Sequence, residues 1–231
     1  MTTTETTYAY RDLPGLMSRL TGDEKHDTSA TSTLDVLWVL YDRVLRITPD
    51  TVRSPDRDRF VLSKGHGPMA YYAVLAAKGF LPVPAMADFS GYDSSLGHHP
   101  DRVLVPGVEI SSGSLGHGLP IAVGMALALR AQSRPEPRVV VLVGDGELDE
   151  GSNWEAVAYA GRVGLTALTV VVIDNGTATH GWPGGLAPRF GVEGWHAQTV
   201  DGRDHGELER TLAHPRTGVP HVVIAQIGPG E

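Results

Sequence analysis

The stretch RVVVLVGDGELDEGSNWEAVAYAGRVGLTALTVVVIDNG, residues 138–176, decides how this chain folds. From Arg138 to Val143 it is a near-continuous β-branched run without polar alternation, the pattern of a strand buried on both faces. Trp154 to Val163 reads as a helix, and Leu168 to Ile173 is a second β-branched run. Strand, helix, strand in that order specifies a right-handed crossover between parallel strands. Each strand ends in a short polar turn, Gly144-Asp145-Gly146 after the first and Asp174-Asn175-Gly176 after the second. Ligands of open parallel sheets sit beyond the carboxyl ends of the strands. If the two strands are neighbours, Asp145 and Asn175 therefore project into one crevice.

Working outward, the same alternation continues on both sides. Leu34, Leu37, Leu40 and Leu45 give a helical period that Ser32 or Thr33 can cap and Pro49 ends. Arg59 to Leu62 reads as a short buried strand, followed by a helix through Met69, Tyr72, Val74 and Leu75 that stops near Gly79. A glycine-rich run, Gly113-Ser-Leu-Gly-His-Gly118, opens an alanine-rich helix from Pro120 to Gln132. Downstream, a helix near Leu186 to Phe190, a strand near His196 to Val200, a helix from Asp204 to Ala213 and a strand from His221 to Ala225 complete the pattern. The fold class is α/β, a mostly parallel sheet with helices on both faces. Residues 1–9 are expected to be loosely ordered and 10–231 to form a single domain. The long connection Leu81 to Gly107, rich in proline, glycine and aspartate, is of a length that compact domains keep for function.

Composition excludes several classes of activity. A formal charge of -8 without a lysine- and arginine-rich cluster argues against a nucleic-acid partner. The chain contains no cysteine, which removes disulfides, thiolate metal sites and a cysteine nucleophile, and fits a reducing cytoplasm. Met1 to Thr7 lacks the segments of a secretory signal, and no apolar run approaches the length that spans a membrane.

One carboxylate and one amide oxygen make a hard-oxygen pair suited to magnesium, which fills its remaining positions with phosphate oxygens and water. Glycines beside them let backbone N–H groups approach phosphates. Taken singly, each tripeptide is an ordinary turn. Set about thirty residues apart across one crossover, they form a far more specific pattern. A nicotinamide-binding reading lacks its Gly-x-Gly-x-x-Gly turn.

The stretch Gly144 to Gly181, with Gly144-Asp145-Gly146 followed by Asp174-Asn175, resembles the thiamine-diphosphate signature of transketolases. So do Arg57-Asp-Arg-Phe-Val-Leu-Ser-Lys-Gly-His-Gly67, Pro106-Gly-Val-Glu109 with Gly113 to Gly118, and Ala122-Val-Gly-Met-Ala126, in the family's order and spacing. The similarity covers residues 10 to 228 and matches only the family's amino-terminal, diphosphate-binding domain. It implies that Asp145, Asn175 and the main-chain carbonyl of Thr177 hold magnesium, or calcium or manganese in its place. It also implies that Gly113, Ser114, Leu115, Gly144, Gly146, Glu147 and Asn175 contact thiamine diphosphate. His66, His26 and His99 match active-site histidines, and Glu150 and Glu155 match acids that link two cofactor sites across a subunit interface. In the family, the glutamate that activates the aminopyrimidine belongs to the carboxyl-terminal domain, so the resemblance implies a partner subunit that supplies it, in an α2β2 heterotetramer.

The implied activity is transfer of a two-carbon ketol unit from a ketose or ketose-phosphate donor to an aldehyde or other acceptor. Thiamine diphosphate does the difficult chemistry, and histidines, with pKa values near neutrality, suit the proton handling around it. A 1-deoxyxylulose-5-phosphate-synthase-like reaction, a 2-oxoacid decarboxylation of the dehydrogenase type and a non-catalytic assembly module remain as alternatives. Three departures bear on the choice. Lys25-His26-Asp27 stands where the family has a glycine-rich turn, His180 stands before Gly181 where aspartate is usual, and Glu231 closes the chain before a segment that in many relatives covers the substrate.

Overall fold

The computed structural model describes residues 8–20, 31–66, 68–213 and 218–228. Its centre is a five-stranded parallel sheet of β1 (Arg59–Leu62), β2 (Val139–Gly144), β3 (Leu168–Asp174), β4 (His196–Asp201) and β5 (His221–Gln226), in the order β1-β2-β3-β5-β4. Successive residues of a strand point to opposite faces, and here both faces are apolar. Phe60, Leu62, Val140, Leu142, Val171 and Ile173 enter one core, while Val61, Val139, Val141, Val143, Val170 and Val172 enter the other. That double burial is why β2 and β3 carry no polar alternation. The outermost strand, β4, is half-exposed and polar at His196, Gln198 and Thr199, as an edge strand can be.

Helices cover both faces. The first core is closed by α1 (Leu13–Met17), α2 (Leu34–Val39), α3 (Met69–Ala77) and α7 (His205–Ala213). The second is closed by α4 (Gly118–Ala131), α5 (Gly151–Arg162) and α6 (Leu186–Val192). Asp204 starts α7 as a side-chain cap, its Oδ1 accepting from the amides of Gly206 and Glu207. Among the described residues no helix is long and apolar enough to cross a membrane.

The chain differs from expectation in three places. The helical period at Leu34 to Leu45 is not one α-helix: α2 gives way to a π-helical turn over Leu40–Val44, closed by the Leu45 amide on the Leu40 carbonyl at 2.8 Å. The wider turn keeps Leu40, Tyr41, Val44 and Leu45 all buried. Tyr8 and Ala9, expected to be loose, are tied down: Tyr8 packs on the first core and the Ala9 amide donates to Asp12 Oδ2 at 2.8 Å. The helices α4 and α5 begin earlier than their apolar periods, at glycines that adjoin the site described below.

The amino-terminal ends of the strands hold two structural polar groups. Asp58 is fully buried. Burial works to raise its pKa, but the amides of Arg46 and Arg138 and the guanidinium groups of both residues hold it below the ordinary carboxylate range. His221 begins β5 and stacks on His196 of β4, with ring centroids 5.3 Å apart. Its Nε2 lies 2.9 Å from Gln198 Oε1, and its buried Nδ1 has no hydrogen-bond partner among the described residues. Desolvation, aided by the neighbouring His196, depresses its pKa to about 4. The unfolded chain therefore binds more protons than the folded one between pH of about 4 and about 6.5. Stability is expected to be full above the upper limit and to fall by up to about 3 kcal/mol as pH drops through that window. Urea unfolding at stepped pH checks this, with His221→Leu flattening the slope.

Candidate active site

The parallel register of β2 and β3 pairs Gly144 with Ile173, so the two chains leave the sheet side by side. Asp145, buried at 3% exposure, caps the 3-10 turn Gly146–Asp149, and Asn175 follows β3 directly. Between their side chains stands the Thr177 hydroxyl, 2.6 Å from Asp145 Oδ1 and 2.8 Å from Asn175 Oδ1. The other Asp145 oxygen accepts from the amides of Thr177 at 2.7 Å and Ala178 at 3.2 Å. Two acceptor oxygens converging on one donor is the pattern that a hard cation completes, so the residues present fit a divalent ion of the magnesium class. The Thr177 carbonyl oxygen lies 3.3 Å from where a Cβ on Gly146 would be, at the turn that follows Asp145. Among the described residues no group of three or more His, Asp or Glu could hold a metal, which leaves this mixed oxygen set as the candidate. The Gly146 amide donates to Asp145 Oδ1 at 2.8 Å.

The loop bearing Thr177 is fixed at both ends. Thr179 donates its amide to Asp149 Oδ2 at 2.9 Å. Further on, the Trp182 ring meets Trp154 edge-on at a centroid distance of 4.8 Å, and the Arg189 guanidinium lies over both rings at 4.8 and 5.2 Å. His180, between these anchors, is exposed.

Glu147, expected among the cofactor contacts, turns its side chain inward. Only 2% exposed, it accepts from the Ser63 hydroxyl and from the amides of Gly116 at 3.0 Å and Gly144 at 3.3 Å. Ser63 Oγ in turn accepts from the Gly118 amide at 3.0 Å. One carboxylate thus joins the loop after β1, the loop before α4 and the end of β2. Burial raises the Glu147 pKa, while the hydrogen bonds from Ser63, Gly116 and Gly144 and the charge of Lys64 oppose the rise. Lys64 is itself buried, at 5% exposure. Desolvation brings its ammonium pKa down to about 8 against the pull of Asp145 and Glu147, so a cation lies beside the two acids.

His66 follows on the same loop, which is pressed against the glycine-rich run. A Cβ on Gly65 would lie 3.0 Å from the Gly113 amide and 2.3 Å from Ser112 Oγ, too close for any side chain. Gly113 has a φ of +147° and a Cβ there would meet the His99 ring at 3.0 Å. The His99 ring thus packs against Gly113. Its neighbour His98 turns away to Ser90 Oγ at 2.7 Å and the Phe89 ring. Ser114 is exposed and Leu115 half-buried in the same run. His26 lies outside the described residues. Glu150 and Glu155 are exposed near the start of α5, and Tyr159 of the same helix and Ile121 of α4 are exposed too.

The family description "Transketolase, thiamine diphosphate binding domain" matches residues 21–227. The chain belongs to the transketolase family. It is 55% identical over 222 residues to "Ferredoxin fas2" of Rhodococcoides fascians, covering 96% of this chain and 73% of that one. It is 37% identical over 212 residues to one of the subunits of the apulose-4-phosphate transketolase of Actinobacillus succinogenes, covering 89% and 76%. Transketolase from Leishmania mexicana superposes with a TM-score of 0.79 at 25% identity, over 96% of this chain but 37% of that one. The chain therefore spans about three-quarters of its split-subunit relatives and little over a third of a transketolase of that length. It is a thiamine-diphosphate-dependent, transketolase-like subunit. Iron–sulfur clusters are held by cysteines, and with none in its 231 residues this transketolase chain resembles Ferredoxin fas2 in sequence without a cysteine-ligated cluster.

Sequence reading missed Ser63, Lys64, the Thr177 hydroxyl and the Trp154–Trp182–Arg189 clamp. Ser63 and Lys64 sat inside the quoted motif, but their partner Glu147 lies 84 residues from Ser63, a pairing that no local pattern reveals. Two outcomes are expected. Asp145→Ala and Asn175→Ala should abolish magnesium-dependent thiamine diphosphate binding by calorimetry, and affinity equal to the parent's would remove the metal assignment. Glu147→Ala should cost about 2–3 kcal/mol in urea unfolding, because it strands three buried donors.

Proposed function

We propose that this chain, joined to a second polypeptide, transfers a two-carbon ketol unit from a ketose or ketose-phosphate donor to an aldehyde or other acceptor. The observation that carries the reading is the convergence at the carboxyl end of the sheet. The Asp145, Thr177 and Asn175 oxygens stand on one side, and the His66 loop and the His99 ring close on Gly113 on the other. When bound, thiamine diphosphate supplies a carbon nucleophile for the donor carbonyl. This chain's own residues bind, orient and move protons. Asp145, Asn175 and the Thr177 carbonyl would hold the magnesium ion that accompanies the cofactor. Gly113, Ser114 and Leu115 form the wall along the cofactor. Lys64 adds a buried positive charge beside the acids, which suits a dianionic tail. His66, His99 and His26 exchange protons with donor and acceptor hydroxyls, work that suits an imidazole poised near neutrality.

The second polypeptide supplies the glutamate that activates the aminopyrimidine, in an α2β2 assembly. Support comes from the family match to the diphosphate-binding domain alone and from relatives whose names make them subunits of larger transketolases. Glu150 and Glu155, both exposed, would be covered in that assembly and link its two sites. The Actinobacillus relative's name points to a ketose phosphate as the class of substrate to test first. A cysteine-free chain suits the cytoplasm.

The isolated chain should show no turnover with saturating cofactor, and co-expression with its partner should restore it. In the complex, His66→Ala is expected to retain cofactor affinity within a few-fold while kcat falls by about a hundredfold or more. Donor profiling with ketose phosphates against pyruvate checks the reaction class. Preference for pyruvate with carbon dioxide release would replace ketol transfer by decarboxylation.

A further inference from the structure

We propose that the pocket between the segment Val52 to Arg57 and the turn Arg102 to Glu109 is a second binding site, for a small organic molecule bearing a dianionic phosphate head. It encloses about 390 Å³, within the range of small-molecule sites. It opens beside the amino-terminal end of β1, whereas the catalytic loop from Ser63 to His66 leaves the carboxyl end. Binding there goes beyond ketol transfer and does not depend on it.

Charge selects the ligand. Arg53, Arg57 and Arg102 line the pocket with a single acid, Glu109. Arg57 Nη2 bonds the Glu109 carboxylate, and both side chains are largely buried, at 16% and 11% exposure. That pair neutralises one guanidinium. Neither Arg53 nor Arg102 has an ion pair among the described residues, and Glu109, whose charge is felt by Arg102 as well as Arg57, is the single acid among three guanidiniums of the lining, which leaves a net positive charge there. Arg57 Nε is buried with no acceptor among the described residues. That atom is closed off from the pocket, so an entering anion is met by the exposed guanidiniums of Arg53 and Arg102. Two exposed guanidiniums match a phosphate dianion better than a single carboxylate, and their planar donors bind its oxygens in pairs. The remaining wall is apolar. Val103 and Leu104 are 87% and 55% exposed, and with Val52 and Pro106 they would receive the body of the ligand.

Phenyl phosphate, titrated calorimetrically into the full chain, tests this, with phenyl sulfate as the monoanion of the same shape. Saturable binding is expected, at least about tenfold tighter for phosphate than sulfate. Arg53→Ala and Arg102→Ala should each weaken it by about tenfold without changing the melting temperature of the free protein, since both side chains are exposed. Asp145→Ala should leave it intact, which separates this pocket from the cofactor site. No saturable binding, equal affinity for the sulfate, unchanged affinity in both arginine variants, or loss in Asp145→Ala would each overturn the proposal.

Discussion

The parallel pairing of β2 with β3 sets Gly144 beside Ile173, and the chain leaves both strands at the same height. The Asp145 carboxylate and Asn175 amide then need only the Thr177 hydroxyl between them. A one-residue slip would turn every valine of a strand to the other face, emptying one core into the other. The largely apolar identity of both faces is thus what holds the two polar side chains together.

Around that pair, the loops are fixed by buried acids rather than by regular structure. Glu147 joins two loops to the end of β2 and Asp145 gathers four donors, so both carboxylates are held in place without help from any ligand. Acids used this way cost desolvation, visible in the raised pKa of Glu147, and the nearby Lys64 offsets part of it. The arrangement is preorganised, which is what electrostatic binding of a diphosphate requires.

Much of this was legible in the chain because burial on both faces leaves an unbroken β-branched run. The valine runs of β2 and β3 and the turn tripeptides after them located the strands and the ligand end. Strand order was not legible: β5 lies between β3 and β4, and neighbouring in sequence does not specify neighbouring in a sheet. The π-helical turn left a trace, since Leu40 and Leu45 are five apart, the span of its closing bond. Read as an α-helical period, that trace was assigned to the wrong helix type. The side-chain role of Glu147 was not legible, because it completes a contact with distant Ser63.

The polar, half-exposed outermost strand β4 bears on how the chain assembles. Open sheet borders invite another chain to add a strand, and natural proteins blunt them with polar or short strands. With His196, Gln198 and Thr199 on one border and a four-residue strand on the other, extension of the sheet into a stack of copies is disfavoured at both ends. Association of copies through the sheet borders is thereby discouraged, which leaves the helical flanks as the faces open to other contacts.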